Sequence, residues 1–202
     1  MALKSHGLAL KHAPQEMCED RNIVLTAVRQ FGLALSYASD ELRGDREIVL
    51  AAVQRQFGLA LEYASPKLRG DREIVLEAVK QYGNALYYAS EEFRKDREIV
   101  LESVRNDAIS FRYASEELRG DRDIALIAVK QGGYNLEYAS EELRRDREIV
   151  LKAVQNRGDA LQYATEELRG DREVVLAAVK QNGWAIEYAS EELREQLKKE
   201  GY

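Results

Sequence analysis

Apolar residues recur along this chain in one fixed figure. Between positions 71 and 95, Ile74, Val75, Ala78, Val79 and Tyr82 fall at helical spacing. Asp71 stands just before them as a helix N-cap, and Glu73 puts negative charge in the first turn, where the helix dipole favours it. Leu76 adds a second apolar face, which predicts a helix covered on two sides. Gly83 then predicts a stop, because glycine takes the left-handed conformation that ends many helices. A second apolar group, Ala85, Leu86, Tyr88 and Ala89, predicts a shorter helix. Ser90 reads as a further N-cap, followed by Glu91, Glu92 and an inward Phe93. The unit is thus a helix of about 11 residues, a helix of about 7 and one more turn, with no strand alternation.

The figure repeats. Asp-Arg opens it at Asp45, Asp71, Asp96, Asp121, Asp146 and Asp171, and Asp20-Arg21 precedes the series. The boundaries are 20–44, 45–70, 71–95, 96–120, 121–145, 146–170 and 171–195, with a half repeat at 1–19 and a capping segment at 196–202. Gly7 and Leu8-Ala9-Leu10 match Gly32 and Leu33-Ala34-Leu35, which identifies the half repeat. An extra residue near Gln54-Arg55-Gln56 predicts a bulge or extension of the second long helix. Asn106-Asp107-Ala108 replaces the glycine of the fourth repeat and predicts a local bend. Units of this size bury their apolar faces only by stacking. The expected fold is a single all-α solenoid over 1–202, right-handed or superhelical, closed by a charged C-terminal helix.

The string running from Asp71 through Tyr88-Ala89-Ser90 to Arg94, seen in every full repeat, resembles the tandem repeat of the domain of unknown function 4116 family. The resemblance covers almost the whole chain. It implies a helical array of the kind found in some intracellular bacteria, protists and algae, with a binding or scaffolding role, no established catalysis and no site residues to carry over.

Composition narrows the function classes. Of 202 residues, 45% are apolar and 33% charged, the balance of a folded, soluble chain. The net charge of −6 disfavours binding to a phosphate backbone, so nucleic acid is an unlikely partner. Cys18 is the one cysteine, which excludes an intramolecular disulfide and fits an intracellular, reducing compartment. No apolar run is long enough for a membrane span. His6 and His12 are six apart, a poor spacing for shared metal ligation, and no metal or other cofactor is expected.

The constant polar residues read as structure. The Tyr37, Tyr63, Tyr88, Tyr113, Tyr138, Tyr163 and Tyr188 row offers a stacking platform or a core ladder, and its constancy favours the ladder. The Asp-Arg row favours capping and pairing between repeats over acid–base chemistry. Four Arg-Gly-Asp tripeptides, beginning at Arg43, Arg69, Arg119 and Arg169, fall where one turn ends and the next helix is capped, which disfavours an adhesive role. The basic row Arg29, Lys80, Arg105, Lys130 and Lys180 could track a phosphate backbone or an acidic partner, but the net acidic charge and the Glu77 and Glu102 three residues before Lys80 and Arg105 favour a solvated face.

What varies lies beside each glycine. Before it stand Phe31, Phe57, Tyr82, Asp107, Gly132, Arg157 and Asn182; after it stand Leu33, Leu59, Asn84, Ile109, Tyr134, Asp159 and Trp184. An apolar, aromatic edge of this kind marks a protein interface or shields helix corners. The candidate partner-binding residues are Phe31, Leu33, Phe57, Leu59, Tyr82, Asn84, Ile109, Tyr134 and Trp184. The expected function is a non-catalytic helical-repeat scaffold or protein–protein interaction module, of the kind that serves as a subunit or segment of a larger assembly. The alternatives are a helical-repeat nucleic-acid reader and the targeting arm of a larger enzyme or bacterial effector.

Overall fold

A computed structural model of the chain describes residues 7–55 and 58–202. The described residues are helical and contain no strand. Seven ten-residue helices set the rhythm: α1 (Arg21–Gln30), α2 (Arg46–Arg55), α3 (Arg72–Gln81), α4 (Arg97–Asn106), α5 (Arg122–Gln131), α6 (Arg147–Asn156) and α7 (Arg172–Gln181). A final helix, α8, runs Glu191–Lys199. By internal contacts the chain divides into two compact units, Met1–Tyr113 and Ala114–Tyr202. The boundary falls in the repeat that carries Ala108. Each unit is an α-solenoid of stacked repeats, in which an element packs on its own repeat and on the neighbouring one.

The helices begin where Asp predicts. One oxygen of Asp71, Oδ1, accepts from the backbone N–H groups of Glu73 and Ile74 at 3.1 and 3.2 Å. Asp45, Asp96, Asp146 and Asp171 do the same for their own helices. In α3, Ile74, Val75, Ala78 and Val79 are all fully buried, as are their counterparts in α2 and α6. Leu76 is only half-buried, so the second apolar face is partly open to solvent.

The second segment is not the α-helix that its apolar residues suggest. Gly83–Tyr88 is a 3₁₀ helix, and so are the matching segments Gly32–Tyr37, Ala108–Tyr113, Gly133–Tyr138, Gly158–Tyr163 and Gly183–Tyr188. It buries Gly83, Ala85 and Leu86, and its C-cap Ala89 donates its backbone N–H to Leu86 in the three-residue bond of a 3₁₀ helix. The half repeat follows the same rule: Gly7–His12 is 3₁₀, and Leu10 is as deeply buried as Leu35. The last turn of the unit is 3₁₀ in the first two full repeats, a four-residue α-turn in the next four, and the start of α8 in the last. The hydroxyls of Ser115 and Ser140 cap that turn, whereas Ser90 donates to Glu92 instead.

Two bonds recur at each joint between repeats. Within the first unit the Ser39, Ser65 and Ser90 backbone N–H groups donate to the carbonyls of Cys18, Arg43 and Arg69, at 2.9–3.0 Å. Within the second, Ser140, Thr165 and Ser190 donate to Arg119, Arg144 and Arg169. The other bond is ionic. The Asp oxygen not used for capping faces the arginine of the preceding repeat: Arg21 with Asp45 at 2.8 Å, Arg46 with Asp71 at 3.0 Å and Arg72 with Asp96 at 3.3 Å. In the second unit the pairs are Arg122 with Asp146 at 3.0 Å and Arg147 with Asp171 at 2.9 Å. Each of these arginines also reaches the Glu two residues beyond the Asp. Arg172 pairs with Glu200 at the end of α8, whose Leu193 and Leu197 are buried.

Arginine hydrogen bonding holds the Asp71 and Asp171 carboxyls below the usual value of 3.8, against the opposing effect of burial. A depressed carboxyl contributes stability above its unfolded pKa and loses it as pH falls through its folded pKa. The urea midpoint should therefore be level near neutrality and fall below about pH 4. Asp171→Asn should flatten part of that fall in acid titrations followed by circular dichroism; an unchanged acid limb would contradict the assignment.

Candidate interaction surface

The variable edge rests on a backbone that does not vary. After α1, α3, α4, α6 and α7 the next residue is extended, with φ near −145° and ψ of 100–112°, whether it is Phe31, Tyr82, Asp107, Arg157 or Asn182. Its N–H still bonds the helix carbonyl four residues back, as Phe31 does to Ala27 at 2.8 Å. Its carbonyl then accepts the first 3₁₀ bond, as Tyr82 does from Ala85 at 2.8 Å. These main-chain bonds need no particular side chain.

The glycine that follows does not end the helix by a left-handed turn. Among the described glycines only Gly58 and Gly201 have positive φ, of 77° and 97°. The other glycines of the row answer to the next repeat instead. A Cβ on Gly158 would lie 2.5 Å from the Ala178 carbonyl oxygen of the following long helix. Gly83 and Gly133 meet Ser103 and Ala153 in the same way. Gly183, in the last repeat, has nothing within 4 Å of that position. Gly58 in the second repeat makes the same approach, to the Ala78 carbonyl oxygen, but from a left-handed backbone. The long helix of that repeat is described over Arg46–Arg55, and the expected bulge or extension near Gln54-Arg55-Gln56 lies partly outside the described residues. Gly58 donates its N–H to the Val53 carbonyl at 3.1 Å.

Amide side chains clamp the joint beside the glycine. Asn106 accepts from the Gly83 N–H at 2.7 Å and donates to the Lys80 carbonyl at 2.7 Å, so one amide closes the end of the preceding helix. Asn156 does the same for Gly133 and Lys130, at 2.8 and 3.0 Å.

Of the predicted site residues, Phe31, Leu33, Leu59, Tyr82, Asn84 and Ile109 lie in the first unit and are half-buried. Tyr134 and Trp184 lie in the second; Tyr134 is half-buried and Trp184 is 80% exposed. Phe57 lies outside the described residues. Part of this edge joins repeats. Asn84 donates to Asp107 at 2.6 Å, and Asn182 donates to Asp159. In each pair the position after one glycine meets the position before the next. A polar residue at both places is a signal that the sequence contained and that reading each position alone missed.

The tyrosine row is not core. Its members are half-buried at the boundary, because the 3₁₀ segment turns Leu86 and its equivalents inward instead. Burial, with the Glu62 carboxylate next to both, raises the Tyr63 and Tyr88 phenols above 10.0. Tyr87 joins Tyr88 and Tyr113 through ring contacts of 5.1 and 5.0 Å between centroids. The Arg-Gly-Asp aspartates Asp45, Asp71 and Asp171 are occupied by caps and arginines, as described above.

The family model described as Domain of unknown function (DUF4116) matches residues 1–43, 20–69, 45–94, 96–144 and 146–194. No curated protein and no solved structure matches the chain. Among the described residues no helix is long and apolar enough to cross a membrane.

The glycine contacts yield a sharp contrast. Gly83→Ala should lower stability by roughly 1–3 kcal/mol in urea unfolding, because backbone must move to admit the methyl group. Gly183→Ala should be near neutral, and equal losses at the two sites would refute the packing role.

Proposed function

The chain belongs to the domain of unknown function 4116 family, and on that footing we propose that it is a non-catalytic scaffold that binds another protein. The observation that supports this reading is the invariant backbone under unlike side chains. Phe31, Tyr82, Asp107, Arg157 and Asn182 share one conformation, so the fold does not dictate which residue stands there. The constant polar residues are meanwhile occupied: Asp by capping and pairing, Arg by the next repeat, and Ser by its main-chain bond. Such a division suits a repeat scaffold, in which the frame is conserved and the presented side chains differ.

The inter-repeat bonds narrow the proposed edge. Asn84 serves the joint with Asp107, which leaves the apolar members Phe31, Leu33, Leu59, Tyr82 and Ile109 as the contact surface in the first unit. Trp184 is the exposed anchor in the second. Aromatic side chains in such positions commonly carry a large share of binding energy. A single Cys18 without a disulfide partner suits a reducing, intracellular setting.

Phe31→Ser with Tyr82→Ser should leave the helical circular dichroism unchanged and remove specific partners from pull-downs that the unaltered chain retains. Identical capture by both forms, compared by mass spectrometry, would refute this surface.

A further inference from the structure

The half-buried leucines of the long helices form a ridge that the glycine edge does not use. On one helix face the first-turn acid, the leucine, the residue after it and a position three further on lie together, since they are three or four apart. In the first unit carboxylates balance this face. Glu47 pairs with Arg29 at 3.3 Å, Glu102 with Arg105 at 3.9 Å, and Glu77 accepts from Gln81 at 2.7 Å.

The second unit is different. The residues after Leu126, Leu151 and Leu176 are Ile127, Lys152 and Ala177, where α3 and α4 carry Glu77 and Glu102. Lys130 and Lys180 complete the row, and no carboxylate among the described residues pairs with Lys130, Lys152 or Lys180. The acids on this face are Asp123, Glu148 and Glu173, in the first turns at its opposite edge. Glu148 and Glu173 are already held by Arg122 and Arg147. Between α6 and α7 the small Ala177 leaves a groove of about 450 Å³, lined also by Gln155, Lys180 and Gln181.

We propose that this face of α5, α6 and α7 is a docking surface for an acidic amphipathic helix that sets aliphatic side chains on the leucine ridge and carboxylates against Lys130, Lys152 and Lys180. Charge complementarity selects the occupant: the successive helices α5, α6 and α7 each carry on this face a lysine with no carboxylate partner among the described residues, on a chain of net charge −6. The aliphatic ridge selects an amphipathic helix over a polyanion, because the face offers Leu126, Ile127 and Leu151 where a nucleic-acid groove would offer aromatic stacking. The inference rests on the reading of the chain as a protein-binding module but not on the glycine edge.

The test uses the full chain and a labelled synthetic peptide of about 18 residues, with Leu at i, i+3, i+4 and i+7 and Glu elsewhere. Fluorescence anisotropy should show saturable binding that weakens with salt. Lys130→Glu with Lys152→Glu and Lys180→Glu should weaken it by about tenfold or more. The triple Lys→Gln form should fall between, and circular dichroism should remain that of the unaltered chain. Phe31→Ser with Tyr82→Ser should bind the peptide normally, so failure of the glycine edge and failure of this surface are separable. Absence of saturable binding, or equal affinity in the charge-reversed form, would overturn the proposal. So would equal or tighter binding of an oligonucleotide, of anionic vesicles, or of a peptide with Ser in place of Leu.

Discussion

One carboxylate at each joint does two things at once. Asp171 uses Oδ1 to hold the N–H groups of Glu173 and Val174, which starts α7, and Oδ2 to hold Arg147 of the preceding repeat. Helix initiation and repeat stacking are therefore coupled through the same side chain. Asp71 and Asp146 repeat the arrangement. The individual ion pairs are partly exposed and each is weak in isolation. Their role is to fix register: every arginine finds its acid only when the next helix starts at the correct residue. At the end of the second unit Glu200 takes the place of the missing Asp, so α8 supplies to Arg172 what another repeat would supply.

Register fixed in this way permits the close approach at the glycines. Gly83 and Gly158 bring two backbones into contact at a point with no room for a methyl group. The main-chain bond from Ser65 to Arg43, and its equivalents, closes the opposite side of the joint. With the joint made by Asp, Arg, Ser and Gly, the remaining exposed positions are released from structural duty. The leucine ridge and the glycine edge are two such surfaces, and they differ in character. The first unit sets carboxylates among the basic residues of its ridge; in the second the acids of that face lie in the first helical turns, where Arg122 and Arg147 hold Glu148 and Glu173.

Much of this could be read from the residues. The period of 25, the Asp caps and the pairing of Asp with Arg are local or periodic, and they follow from elementary helix chemistry. The family resemblance was legible for the same reason. Three features were not. The 3₁₀ state of Gly83–Tyr88 has no distinct signal in its apolar spacing, since Ala85, Leu86 and Ala89 also suit an α-helix. The purpose of the glycines is a contact with another repeat, which no local rule anticipates. The pairing of Asn84 with Asp107 links positions 23 apart whose separate identities look unremarkable. Half-burial of Leu76 and of the tyrosines likewise reflects how far adjacent repeats cover one another.

The most direct test of the shared carboxylate is a double-mutant cycle on Arg147 and Asp171, measured by urea unfolding with Asp171→Asn and Arg147→Gln. Asparagine keeps the capping function but cannot form the ion pair, so it separates the two roles. The account predicts that Arg147→Gln destabilises the unaltered chain more than it destabilises the Asp171→Asn chain. Equal losses in the two backgrounds, with coupling indistinguishable from zero, would contradict it.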